Sequence, residues 1–537
     1  MDGSGAGKSA SFSIPNACQM LGSYVFTDPK GELYDKTAGF LKANGYEIKV
    51  LNLLRPQNSD GYNPLMHISN ELDVDVIANT IIKGQGEASA SEPFWEDMGE
   101  MLLKSLIYYL IATRPEEEQN LASCAELVRA ASSSGSSSLL SELINKLPMD
   151  HPSRKYYKSV EISAASEKTY SSILSTLQSK LGKFDSKEIA ELTSTNTIDF
   201  EEIGKRKTAV YVISSDTHTA YDFLLTIFFS QMIQQLYDFA DLNGGALPMP
   251  TYFILDEFAN IGRVPDFDKK ISTSRSRKIQ FSVILQNLDQ LEAVYEKSFE
   301  TIIGNCDTHL FLGSNSQKTV EYFSKALGSK TISRESVGIN KDRAYIRTGE
   351  NYSENIMERA LLTPDELRRF DMDKCIIFEK GIRPIKANKY YYFKHNEAKQ
   401  LQRYPANHNE ARELERGAWR TFNPYNPYTP EGEKQPVNDL KIDSLDDLFA
   451  DETPKQEEKK EPKKDENIGF ASIETDTGKN QTKPEIEDIP MLPQEEIVED
   501  KEIDLAKELE AKFDEIFGPI EETETSKKDW QYKNIML

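Results

Sequence analysis

The sequence predicts an α/β domain that is interrupted by an all-helical insertion and followed by an acidic tail without fixed structure. Three observations carry this reading. Short apolar runs alternate with amphipathic stretches over residues 1–93 and again over 200–421, the rhythm of strand–helix units on a parallel sheet. Between them, 94–199 is helical in its periodicity and holds no convincing strand. Beyond 422 the chain is rich in Pro, Asn, Glu and Lys and cannot bury enough apolar surface to offset chain entropy. At 537 residues the chain is also too long for a single core.

The elements follow in order. Tyr24-Val25-Phe26 and the run 46–53 read as strands on either side of a helix-like Glu32–Ala43. The insertion contains periodic apolar residues and a Ser-rich loop at 132–138. Strand-type runs return at Thr208–Ile213, Thr251–Leu255, 279–285 and 309–312, each followed by a helix-like segment, and these are expected to resume and complete the sheet. Two further runs within 374–393, CIIFEK and ANKYYYF, predict an antiparallel edge or hairpin that closes the domain.

The formal charge of −24 is mostly a property of the tail. Residues 431–537 hold 32 acidic and 15 basic residues, and the remaining 56 acids and 49 bases leave the body near balance. A body of this kind can still carry a basic channel for phosphates, because binding follows the local cluster of cations. Two segments of the tail, 444–449 and 513–517, are acidic and bear Leu, Ile and Phe at helical spacing. Two readings stay open for them: chance apolar clusters in a solvating tail, or helices that dock a partner.

Other classes are disfavoured. The longest apolar stretches, such as 102–112, fall short of the roughly 20 residues of a membrane span, and no basic-then-apolar leader opens the chain. The expected setting is the cytoplasm or the cytoplasmic face of a membrane. Cys18, Cys124, Cys306 and Cys375 are far apart, without the spacing of a disulfide framework or a zinc site.

Chemistry is concentrated at two places. Gly3, Ser4, Gly5, Ala6, Gly7, Lys8 and Ser9 form the end of a phosphate loop, in which glycines let backbone N–H groups curl around phosphate oxygens at a helix N-terminus. Lys8 would reach the β- and γ-phosphates of ATP and the Ser9 hydroxyl would bind Mg²⁺, with Phe12, Ile14 and Ala17 on the buried side of the following helix. Asp2 stands where the full pattern has glycine, and no strand leads into the loop, so a flexible Gly/Ser terminus is the alternative. The second place decides between them. Thr251–Leu255 is an apolar strand that ends in Asp256 and Glu257, the Walker B arrangement: Asp256 for Mg²⁺, and Glu257 to take a proton from the attacking water. Gln286, at the end of the next apolar strand, is either a sensor for the γ-phosphate or an ordinary loop residue. The basic turn 272–278 before that strand is either a solvated loop or the source of an arginine for a neighbouring subunit's nucleotide.

The text ILDEFANIGRVPDF, ISTSRSRKIQFSVILQNLDQLEAVY, IIGNCDTHLFLG and EYFSKALG, together with FTDPKGELYD, NLLRPQNSDGYNPL and LLTPDELRRF, resembles the coupling ATPases of conjugative type IV secretion systems over about 390 residues. The resemblance implies a RecA-like P-loop NTPase motor domain with an inserted all-alpha domain, assembled as a homo-hexameric ring at the cytoplasmic face of a membrane. It implies ATP and Mg²⁺ as cofactors, and single-stranded DNA, a relaxase and secretion channel proteins as partners. It carries Lys8 and Ser9 onto the phosphate loop, Asp256 and Glu257 onto the Walker B pair, Gln286 onto the sensor position and Arg275 onto an arginine finger supplied in trans. Residues 94–199 correspond to the all-alpha domain implicated in substrate contact. Family members have transmembrane helices and a first core strand before the loop, so the chain is expected to be a fragment or to have a misplaced start. Three functions are carried forward: an ATP-driven translocase of relaxase-bound DNA, a coupling ATPase for proteins only, and a non-hydrolysing adaptor that works through its acidic tail.

Overall fold

Among the described residues, ten strands build the fold: β1 (Ser23–Thr27), β2 (Glu47–Asn52), β3 (Thr208–Ile213), β4 (Thr251–Leu255), β5 (Ile279–Val283), β6 (Thr308–Phe311), β7 (Ser329–Lys341), β8 (Thr348–Ala360), β9 (Lys374–Glu379) and β10 (Ile385–Asn388). The computed structural model describes residues 7–83, 93–133, 138–164, 166–215, 221–341 and 348–425. All of these fall in one unit, Met1–Asn438; a second unit, Asp439–Leu537, lies outside the described residues, as do both acidic segments of the tail.

The central sheet is parallel throughout, in the order β2-β3-β1-β4-β5. Its strands are near-continuous apolar runs because helices cover both faces. Successive side chains point to opposite sides. Val25, Val210, Val212, Phe253 and Leu255 face one core, while Tyr24, Phe26, Tyr211, Ile213 and Ile254 face the other. The second core is closed by α1 (Ile14–Cys18), α2 (Glu32–Ala43) and Leu401.

The first core is larger and is shared with the insertion. Here α3 (Glu71–Lys83), α4 (Pro93–Thr113), α5 (Leu121–Ser133), α6 (Ser138–Ile144), α7 (Pro152–Ser163), α8 (Glu167–Leu181) and α9 (Lys187–Ser194) lead to α10 (Phe200–Lys205), and α11 (Asp222–Leu242) follows β3. Side chains of α4, α5 and α8 join those of α3, α11 and the sheet in one continuous cluster. The insertion is therefore helical as expected, with no strand among its described residues, but it does not have a core of its own. α3 also packs on both α4 and α11, so the helical layer begins before residue 94.

Three expectations need correction. The run 309–312 does not complete the parallel sheet: β6 pairs antiparallel with β9, and β9 with β10, in a separate sheet β10-β9-β6. The reason is side-chain packing, since Phe311 is buried with Val320, Phe323, Leu367 and Ile376 in a third cluster. This leaves β5 as the outermost strand of the parallel sheet among the described residues. The long antiparallel ribbon β7–β8, with Ser329 opposite Ala360 and Lys341 opposite Thr348, has no counterpart in the sequence reading, because its two segments are mostly polar and carry no continuous apolar run.

The third correction concerns the chain after residue 403. Residues 404–425 cross the α/β part and the helical layer as an irregular strap held by charged side chains. His408 Nδ1 lies 3.0 Å from both Asp35 oxygens, and Arg412 donates to Asp60 at 2.8 Å. Arg416 donates to Glu191 at 2.8 Å and to the carbonyl oxygens of Pro56, Gln57 and Ser59. Arg420 donates to Glu118 at 2.7 Å, and Phe422, 3% exposed, enters the large core. The tail boundary expected at 422 therefore lies beyond Tyr425, whose hydroxyl donates to Ala130 O at 3.1 Å.

Candidate active site

The site forms at the carboxyl ends of β1, β4 and β5, the edge where parallel α/β sheets place ligands. Gly7, with φ +81°, turns the chain in a left-handed conformation open to glycine, and a π-helical turn Ser9–Ser13 then leads into α1. Ile14 and Ala17 are buried and Phe12 packs beside them, as the sequence predicts; the Tyr24 hydroxyl donates to Asn16 O at 2.9 Å. Gly3, Ser4, Gly5 and Ala6 lie outside the described residues.

β4 delivers the carboxylates. Glu257 adopts φ +52° and ψ +49°, a costly conformation for a side chain larger than Asn, and this swings the backbone into the turn Phe258–Ile261. Thr27 at the end of β1 holds the bend, its hydroxyl donating to Asp256 O at 2.6 Å. Nothing in the sequence singles out Thr27, because its role depends on β1 and β4 being neighbours.

These elements bring four of the predicted groups onto the phosphate-loop lysine or its partners. Lys8 Nζ donates to Glu257 Oε1 at 2.5 Å and lies 3.4 Å from Asp256 Oδ1. Ser9 Oγ donates to Asp256 Oδ2 at 3.3 Å. Gln286 Nε2 donates to the same Glu257 Oε1 at 2.9 Å. Arg275 is not in this cluster. It precedes β5 whereas Gln286 follows it, so the two stand at opposite ends of the strand, and Arg275 is 93% exposed with Asp307 at 3.6 Å.

Two carboxylates share one ammonium here, so the cluster is one positive charge short. Burial works against the Lys8 charge, but Asp256 and Glu257 outweigh it and hold the ammonium above the ordinary lysine range. Burial raises Asp256 above the usual carboxylate range, with Lys8 pulling it down and Glu257 pushing it up. A divalent cation suits both the charge and the geometry. Ser9 Oγ and Asp256 Oδ2, 3.3 Å apart, are the hard oxygen donors that Mg²⁺ would take. No group of three or more His, Cys, Asp or Glu among the described residues could hold a metal, so remaining ligands would be phosphate and water, as Mg²⁺ prefers.

A second acid lies nearby at the end of β1. Asp28 is buried and its Oδ2 accepts from Tyr34 N at 2.8 Å; burial raises its pKa from 3.8 to about 6. The folded chain thus binds more protons than the unfolded one between those values, and this group's contribution to stability falls as pH rises through about 4 to 6. Asp28→Asn, which still accepts the Tyr34 N–H, is expected to stabilise the protein at pH 7.5 by on the order of 2–3 kcal/mol relative to its effect at pH 4. Urea unfolding at the two pH values checks this, and an equal effect at both would contradict it.

Residues 1–415 match the family described as type IV secretory system conjugative DNA transfer. Protein VirD4 of Rhizobium radiobacter is 23% identical over 418 residues, covering 74% of this chain and 57% of that protein. VirD4 of Agrobacterium fabrum is 22% identical over 405 residues, covering 74% and 58%. The chain thus spans a little more than half the length of these relatives. Among solved structures, plasmid coupling protein TrwB in complex with the non-hydrolysable ATP analogue ADPNP matches 72% of this chain and 83% of its own, with 15% identity and a TM-score of 0.50. That likeness concerns the fold, which is the RecA-like α/β architecture. With the match running from residue 1 through Lys8, Asp256 and Glu257 to residue 415 of the strap, this chain belongs to the type IV secretory system conjugative DNA transfer family.

Proposed function

We propose that this chain is an ATP-driven coupling protein that takes relaxase-bound single-stranded DNA, and protein substrates, to the type IV secretion channel. The observation that carries the reading is the meeting of Lys8, Ser9, Asp256, Glu257 and Gln286 at one sheet edge. Family membership and the ATP analogue in the TrwB structure support it. In this reading the protein works as a homo-hexamer on the cytoplasmic face of a membrane. Arg275 acts across a subunit interface, which its exposure and its distance from its own subunit's site favour.

The side chains then divide the work. Lys8, now on Glu257, turns to the β- and γ-phosphates of ATP and stabilises their charge. Glu257, released by Lys8, takes the proton of the attacking water at Oε1, and Gln286 keeps that carboxylate oriented. Ser9 and Asp256 would hold Mg²⁺, which would supply positive charge beside the phosphates.

Single-stranded DNA is expected to stimulate ATP turnover, with an effect that fades between 50 and 200 mM salt by about 300-fold or more in affinity if six or more phosphates are contacted. Turnover measured against DNA concentration at several salt concentrations checks this. Turnover that ignores DNA and responds to a protein substrate would favour the protein-only reading.

A further inference from the structure

The run ANKYYYF, expected as a strand, leaves β10 at Asn388 and forms a 3-10 turn, Tyr392–Lys394. That turn sends its rings to different places. Tyr392 packs against the core beneath α1 and α2, with Lys36 Nζ 5.5 Å from its ring centre. Tyr391 lies against Gly7, where an added Cβ would stand 3.4 Å from its Cε1. Two anchors fix this segment: the Tyr391 hydroxyl donates to Asp373 Oδ1 at 3.1 Å, and the buried Lys389 ammonium donates to Leu312 O at 2.9 Å.

Phe393 then stacks on Tyr391, with ring centroids 5.2 Å apart and planes 6° from parallel. It is nevertheless 60% exposed. An aromatic ring held in register with a second ring beside a phosphate loop, yet left in water, offers an apolar π face within reach of whatever the loop holds. We propose that the Tyr391–Phe393 stack is the platform on which the base of the bound nucleotide lies; the inference rests on the nucleotide reading above. The surface recognises the face of a base rather than its hydrogen-bonding edge. Purine triphosphates are then bound alike and more tightly than pyrimidine triphosphates, because stacking grows with ring area.

The test separates base from phosphate. The full chain is titrated with ATP, GTP, CTP and inorganic tripolyphosphate, all with Mg²⁺, and compared with Phe393→Ala, Tyr391→Ala and Tyr391→Phe. Phe393→Ala disturbs little packing, and Tyr391→Phe keeps the ring while losing the Asp373 bond. The alanine variants are expected to bind ATP about tenfold more weakly and tripolyphosphate unchanged, with Tyr391→Phe near wild type. Equal weakening of ATP and tripolyphosphate would overturn the proposal, since the rings would then be shaping the loop. Unchanged ATP binding in both alanine variants would overturn it too. Wild-type protein that binds tripolyphosphate but gains nothing from a base sinks the platform and leaves the phosphate site standing; binding of neither ligand sinks the nucleotide reading and the platform together.

Discussion

Lys8→Ala is expected to weaken ATP binding by about 30- to 1000-fold, the loss that follows removal of one partner of a desolvated, hydrogen-bonded charge pair. Its side chain is only 11% exposed and already serves two carboxylates. Removing it therefore does more than delete a phosphate contact. Asp256 and Glu257 would face each other without a counter-charge, so Asp256 would be pushed further above its usual range and the site would repel a polyanion. Equilibrium binding with Mg²⁺·ATP measures this. Restored affinity at high Mg²⁺ would show that charge, rather than shape, was lost. Unaltered affinity would remove Lys8 from the site.

Glu257→Gln is expected to separate binding from chemistry. Loss of a general base costs roughly 10²- to 10⁴-fold in kcat. The amide keeps the size of the side chain and can still accept from Gln286, so the bend after β4 is retained. It no longer holds Lys8 by charge, and ATP affinity should be equal to or tighter than that of the wild type. The split between kcat and affinity distinguishes this variant from Lys8→Ala, which loses both. A kcat within a few-fold of wild type would assign the proton to another group.

The sequence made much of this site legible because its parts are local. Lys8 and Ser9 sit in one short motif, and Asp256 and Glu257 follow an apolar strand whose bounds, Thr251–Leu255, are those observed. β3 is also as expected, since buried parallel strands leave continuous apolar runs between polar breaks. What stayed hidden depends on contacts between distant residues. Thr27 matters only because β1 lies beside β4, and Tyr391 only because the chain returns to Gly7 after β10. The strap at 404–425 left no periodic signal, because its anchors are guanidinium groups on carboxylates and carbonyl oxygens reached from irregular backbone. The fate of β6 was hidden for a related reason: a four-residue apolar run does not say which sheet it joins, and the packing of Phe311 with Phe323 decides that.

We propose that one sheet edge gathers Lys8, Ser9, Asp256, Glu257 and Gln286 into an ATP-hydrolysing site that drives DNA transfer. Steady-state ATP hydrolysis by the full chain, titrated with single-stranded DNA and run beside Lys8→Ala and Glu257→Gln, tests it most directly. Turnover is expected to rise with DNA, fall with salt and disappear in both variants. Turnover that survives Lys8→Ala, or a wild-type chain that binds ATP and DNA without hydrolysing, would contradict it and move the adaptor reading ahead.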